Sequence, residues 1–246
     1  MKIALLSDIH MSHDGKPIWD TDVKEHLYSC VEKLKKTPNI DIIIITGDLS
    51  NDGSASSYEL VDNAFCEINT PIFCCLGNHD NIQNLQHTLQ HIKYIKNVKY
   101  NNWHFIFLNS VIPDEFNPNV NKARGYLNED DLNNLEKMLL QESCNTVIVM
   151  HHPAIEPEGW LNRRLLENKA EFTKIISKYQ HVKMVLMGHS HEHYIKYIND
   201  IQFIIAPAIG YAFSASLPKF QIDTDNEGFL VIDTNRNTIK KYYYDS

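Results

Sequence analysis

Gly77-Asn78-His79-Asp80 follows the apolar run at 71–76, so a strand is expected to deliver a metal-type ligand and a histidine side by side at its carboxyl end. Taken alone, Gly77-Asn78 reads first as a turn, because glycine and asparagine both tolerate positive φ. The pattern on either side changes that reading. The run at 3–6 ends in Ser7-Asp8-Ile9-His10, and the run at 40–46 ends in Gly47-Asp48. Between these runs, residues 20–36 and 54–68 carry apolar side chains at helical spacing, the first behind Asp20-Thr21-Asp22 as a capping segment. Strand, helix, strand, helix, strand is a parallel-sheet rhythm, and such sheets keep their chemistry at the carboxyl ends of the strands.

Downstream, 82–95 reads as a further helix through Leu85, Leu89 and Ile92, and 98–100 with 103–109 as a hairpin across Asn101-Asn102. A leucine-patterned helix follows Asn128, a buried strand at 146–150 ends in His151-His152-Pro153, and another helix spans 167–179. The strand at 182–187 then ends in Gly188-His189-Ser190-His191. Beyond His193 the short strands 194–198, 202–205, 219–224, 229–233 and 238–244 have no helix between them, which predicts an antiparallel tail completing a second sheet.

The chain has 246 residues, 43% of them hydrophobic, and a formal charge of −8. That length buries one substantial core, and the charge, without a basic run, argues against a broad duplex-binding surface and a stable nucleic-acid complex. Five cysteines without a CxxC pair suit a reducing compartment. An aspartate at position 8 leaves no room for the apolar core of a signal peptide, and no run approaches the roughly 18–20 apolar residues of a membrane span. A cytoplasmic protein without a membrane partner is expected.

Asp-x-His, Gly-Asp, Gly-Asn-His-Asp, His-His and Gly-His-x-His, in this order and each after an apolar strand, resemble the calcineurin-like metallophosphoesterase superfamily. The resemblance runs from Asp8 to His191. It implies an α/β fold, a four-layer α-β-β-α sandwich of two mixed sheets flanked by helices, formed as a single domain over 1–246. It implies two divalent metal ions, one held by Asp8, His10, Asp48 and His191, the other by Asp48, Asn78, His151 and His189, with Asp48 bridging. A mixed carboxylate and imidazole set suits Fe or Mn foremost, with Zn also compatible. Two divalent ions against two aspartates and a bridging hydroxide leave net positive charge for a phosphate, and neutral Asn78 preserves it. In-line attack of that hydroxide on phosphorus is implied, with His79 as the general acid and Asp80 orienting it through the other ring nitrogen. Asn78, His79 and His191 would also face the substrate. Of His151 and His152, consecutive on one strand, only one easily reaches the metals, and the family pattern favours His151; His152 is left to face substrate or anchor its loop.

Within the superfamily, the first motif lacks the glycines of the protein Ser/Thr phosphatases, and His79 stands where the lipid A branch has arginine. What remains resembles the class III cyclic nucleotide phosphodiesterases, acting on a 3',5'-cyclic nucleotide such as cAMP. His151-His152-Pro153 and Arg124-Gly125-Tyr126-Leu127 support that branch. In the loop at 155–164, Trp160 is placed to stack on a base and Arg163 or Arg164 to meet phosphate. Glycerophosphodiesterases and broad-specificity phosphatases of the same fold are the alternatives. A catalytically silent metal-binding scaffold is the non-enzyme alternative, against which all seven expected ligand positions are kept. Homodimerisation is suggested by the resemblance alone. His87 and His91 have i, i+4 spacing but no nearby third ligand, and read as a solvated helix face.

Overall fold

Strand β2 (Ile42–Ile45) is four isoleucines, all buried, as befits a strand covered on both faces of a parallel sheet. In the computed structural model, which describes residues 1–112, 123–157, 159, 164–214, 221–223 and 226–243, β2 lies between β1 (Lys2–Leu6) and β3 (Ile72–Cys74), parallel to both. Strand β4 (Ile92–Tyr94) extends the parallel set beyond β3. The hairpin of β11 (Gly228–Asp233) and β12 (Thr238–Tyr243) pairs antiparallel with the other side of β1. The order is β12-β11-β1-β2-β3-β4.

A second six-stranded sheet has the order β5-β6-β7-β8-β10-β9. Its centre, β6 (Trp103–Phe107), β7 (Asn145–Val149), β8 (Val182–Met187) and β10 (Ile201–Ile205), is parallel. Its edges, β5 (Asn97–Tyr100) and β9 (Tyr194–Ile198), are antiparallel to their neighbours.

Alternation along the strands sorts the apolar side chains into three layers. Ile3, Leu5, Ile44 and Phe73 meet Phe107, Val149, Leu186 and Ile204 between the sheets. Ala4, Leu6, Ile43 and Ile45 face the helices α1 (Val23–Lys36), α2 (Ala55–Ala64) and α3 (Ile82–Thr88). Ile106, Ile148, Val185 and Phe203 pack with Leu135 of α4 (Glu129–Leu140) and Phe172 of α5 (Lys169–Ile176). The expected four-layer architecture of two mixed sheets between helices is therefore present. Asp22, Ser54 and Asn128 cap α1, α2 and α4 through their side-chain oxygens.

Two local expectations fail, each for a physical reason. The helix expected over 82–95 stops at Thr88, and Ile92 enters β4. The Asp62 carboxylate accepts the backbone N–H groups of Gln90, His91 and Ile92 at 2.9–3.0 Å, offering the chain an exit that helical spacing does not reveal. His87 and His91 consequently do not share a helix. The tail does not complete one sheet: β9 and β10 join the second sheet, whereas β11 and β12 join the first. Of the strand expected at 219–224, residues 221–223 contribute an isolated bridge from Ile222 to Phe213, and the remainder lies outside the described residues. The hairpin across Asn101 and Asn102 forms as expected, with φ of 47° and 62° at those residues. None of the five cysteines forms a disulfide. No helix among the described residues is long and apolar enough to cross a membrane.

Candidate metal centre

Strand β1 ends at Leu6, and Asp8 and His10 then take left-handed backbone conformations, φ 52° and 54°. Their shared direction thus arises from two left-handed steps. Asp48 (φ 51°), His189 (φ 69°) and His191 (φ 55°) do the same after β2 and β8. Such residues cost of order 1–3 kcal/mol each, and Asp and His are among the types that tolerate the region best. The strand ends are held by a continuing ladder, Asp8 N–H to Gly47 O at 3.1 Å, His10 N–H to Asp48 O at 2.9 Å and Met11 N–H to Leu49 O at 3.1 Å.

Two groups result, joined through Asp48. Asp8, His10 and His191 offer ligand atoms within 4.8 Å of one another, and so do Asp48, His151 and His189. Asn78 Oδ1 lies 3.0 Å from His151 Nε2. The donor chemistry tests whether metal fits here. His151 Nδ1–H donates to the Thr46 carbonyl at 2.7 Å, and His191 Nδ1–H to the Tyr211 carbonyl at 2.6 Å. In the neutral tautomers these bonds assign, each Nε2 carries a lone pair. His151 Nε2 then faces Asn78 Oδ1 and Asp48 Oδ2, the latter at 3.3 Å. His191 Nε2 faces Asp8 Oδ1 at 3.3 Å and His10 Nε2 at 3.0 Å. Asp8 Oδ1 is buried without a hydrogen-bond partner. Acceptors converging on acceptors in a buried site are stabilised by cations. Two such positions side by side fit a dinuclear metal site with His and Asp ligands.

Electrostatics agree with anionic carboxylates and with neutral rings at His10 and His189, whereas Asp48 favours the charged form of His151. Burial raises the Asp8 carboxyl, but the neighbouring His191 and His151 carry it below the usual range. Burial likewise opposes ionisation of Asp48, and the charges of His151 and His10 hold it well below its ordinary value. Burial pushes His10 down to about 3 and His189 well below the usual imidazole range. Burial also lowers His151, but Asp48 outweighs it and carries this ring up to about 9.

The Gly77 loop differs from its sequence reading in two details. Gly77 is not among the residues of positive φ; its glycine is required by closeness, since a Cβ there would strike the backbone nitrogen and carboxylate of Asp48. Gly77→Ala is therefore expected to destabilise the fold by about 1–3 kcal/mol, as overpacking does, read as a lower urea midpoint, and to reduce metal content. The second difference is Asp80, which does not orient His79. Its Oδ2 accepts from Gly77 N–H at 2.9 Å, and its Oδ1 from Ser50 N–H and Tyr58 Oη, both at 3.1 Å. It thus ties the Gly77 loop to the Asp48 loop. Burial and the Asp48 charge push its carboxyl up to about 6. His79 instead donates from Nδ1–H to the Asn51 carbonyl at 2.9 Å, and its own backbone N–H donates to Asp48 Oδ1 at 2.8 Å. Its ring is exposed and stands edge-on to His10, centroids 4.8 Å apart.

His152 is buried, its Nδ1 2.8 Å from Ser110 Oγ and its ring centroid 4.7 Å from that of His189, so it anchors the loop after β6 beside the second group. Trp160 and Arg163 lie outside the described residues; Arg164 is exposed. Several participants carry no motif. Thr46, Asn51 and Tyr211 act through carbonyls, which any residue supplies. Ser7, which donates to Asp8 Oδ2 at 2.5 Å beside His189 N–H at 2.9 Å, had its position inside the first motif as a signal.

A family model described as calcineurin-like phosphoesterase matches residues 1–193. A 3',5'-cyclic-nucleotide phosphodiesterase of Nostoc sp. is 28% identical over 94% of this chain and 87% of its own. The 3',5'-cyclic adenosine monophosphate phosphodiesterase of Pseudomonas aeruginosa is 26% identical over 92% of this chain and 83% of its own. Among solved structures, a dimetal phosphatase from Danio rerio superposes with a TM-score of 0.69 at 12% identity, covering 100% of this chain and 99% of its own, a likeness of fold. The matched family, the strand-end ligands and the sandwich that positions them lead to one conclusion: this chain belongs to the calcineurin-like phosphoesterases and is a metal-dependent phosphoester hydrolase.

Proposed function

We propose that the protein hydrolyses a small 3',5'-cyclic nucleotide, cAMP foremost, as one domain over residues 1–246. The observation that carries this is the convergence of lone pairs from both sheets on two adjoining positions, in a chain whose relatives are named for cyclic-nucleotide hydrolysis. Asp8, His10, Asp48 and His191 hold one ion; Asp48, Asn78, His151 and His189 hold the other. The donor set favours Fe or Mn, with Zn compatible. When bound, two such ions supply Lewis-acid activation of water and neutralise charge on the phosphoryl group.

The chain's own residues do the rest. Neutral Asn78 keeps the site positive for an anionic diester. His79, held by Asn51 at Nδ1, presents Nε2 to the leaving oxygen as the proton donor. Asp80 acts through the loop it ties, as a positioning residue. His191 and Asn78 border the bound phosphate.

The test is metal analysis with kcat/KM across cAMP, cGMP, glycerophosphodiesters and p-nitrophenyl phosphate, each with Mn, Fe and Zn. The specificity constant for cAMP should exceed that for the other classes by about 10-fold or more. A leading glycerophosphodiester would replace the substrate assignment, metal-loaded but inactive protein would favour the scaffold reading, and metal-free, inactive protein from a manganese-supplemented preparation would overturn the proposal.

A further inference from the structure

Ile18 N–H bonds Thr21 O at 3.0 Å and Thr21 N–H bonds Ile18 O at 2.9 Å, closing a tight turn whose central residues are Trp19 and Asp20. Both have positive φ, 53° and 62°, the turn type that selects Asn, Asp or Gly. A bulky aromatic there is a genuine outlier, and burial does not explain it, since Trp19 is 61% exposed. Strain of this kind is kept where surrounding structure and function require it.

The indole is held in place. The side chain meets the phenol end of Tyr211. The Tyr211 ring is buried and stacks on His10 with centroids 5.0 Å apart, and it lies 4.8 Å from the His191 ring. Phe213 stacks on His191 at 4.5 Å. An aromatic strip therefore runs from solvent at Trp19 to two of the metal-facing histidines, with one ring between. In a cyclic nucleotide the ribose, also one ring, separates the base from the phosphate.

We propose that Trp19, farther along the β1–α1 segment that carries Asp8 and His10, is the platform on which the base of the substrate stacks, a specificity-determining residue. The proposal rests on the cyclic-nucleotide reading above. Stacking on an aromatic face tolerates any base, so Trp19 selects for the presence of a base more than for its identity.

Trp19→Gly removes the ring and suits the turn's positive φ, so folding is not at risk; Trp19→Phe keeps a stacking face. In metal-loaded protein, Trp19→Gly should raise KM for cAMP by about 5- to 150-fold with kcat little changed, the range base stacking is worth. Trp19→Phe should recover most of that loss, and KM for base-free glycerophosphoethanolamine should not move. An unchanged KM for cAMP, or an equal rise for both substrates, overturns the proposal; the latter would make Trp19 a prop for Tyr211. The second readout is binding. AMP, but not ribose 5-phosphate, should alter tryptophan emission in the wild type, and Trp19→Phe should lose that component. Wild-type protein that hydrolyses no cyclic nucleotide would count against the proposed activity alone. The platform would then be judged on emission, and an identical AMP response in Trp19→Phe overturns it.

Discussion

Asp48→Asn is expected to lower kcat/KM for cAMP by about 10³-fold or more, at the upper end of what removing one preorganised electrostatic partner costs. Asp48 is the one residue common to the two proposed ligand sets. Its Oδ2 lies 3.5 Å from His10 Nε2 and 3.3 Å from His151 Nε2, while Oδ1 accepts the His79 N–H at 2.8 Å. The amide keeps the shape, but it removes the negative charge that two cations would share. His151 and His10 hold the Asp48 carboxylate well below its ordinary value, so its charge contributes to the metal-free fold at neutral pH, and metal-free Asp48→Asn should melt somewhat below the metal-free wild type. What disappears is the rise in melting temperature on adding manganese. Retention of two metal equivalents per chain with more than about a tenth of wild-type activity would refute the bridging role, since such a role is expected to carry at least about 10²-fold.

His79→Ala is expected to divide substrates by their leaving groups. With cAMP, whose leaving alkoxide is strongly basic, the rate should fall by about 10²–10⁴-fold, the usual worth of a positioned general acid. With bis(p-nitrophenyl) phosphate, whose leaving group departs without protonation, the loss should be less than about 10-fold. The structure supports the division: the ring is exposed and anchored at Nδ1. It also supplies the alternative, because His79, His10 and Asp48 offer ligand atoms within 4.8 Å of one another. Equal losses on both substrates, with a fall in bound metal, would make His79 a ligand and not an acid.

Much of this was legible in the sequence because strand ends are local. An apolar run followed by Asp, Asn or His announces both the strand and what it delivers, and the seven proposed ligands, Asp8 through His191, all stand at such ends, their roles being what the resemblance implies. Non-local features were not. Asp62 ends α3 by reaching backbone some 28 residues on, and nothing in the 82–95 pattern signals it. Asp80 stands beside His79 in the chain, which suggested a partnership, yet its carboxylate is drawn to backbone donors and Tyr58 across the loop. Gly77 looked like a conformational glycine and is one of clearance, a distinction that requires knowing that Asp48 lies against it. Tail partners depend on which sheet edge is open, and composition alone does not record that.

Four of the proposed ligands, Asp8, His10, Asp48 and Asn78, hang from the first sheet, and three, His151, His189 and His191, from the second. Bonds cross the seam, from His151 to Thr46 and from His189 to Asp8. The distance between the two sets is therefore gauged by the apolar layer beneath them, where Phe73 and Phe107 lie with ring centroids 6.2 Å apart among Ile44, Val149 and Leu186. Sheets packed face to face sit about 10 Å apart, and side-chain volume sets that figure. A displacement near 1 Å at reacting groups can cost about 10²-fold in rate. The greasy middle of the sandwich thus works as a spacer block for the reaction, and exchanging one aliphatic side chain there retunes catalysis without altering a single polar residue.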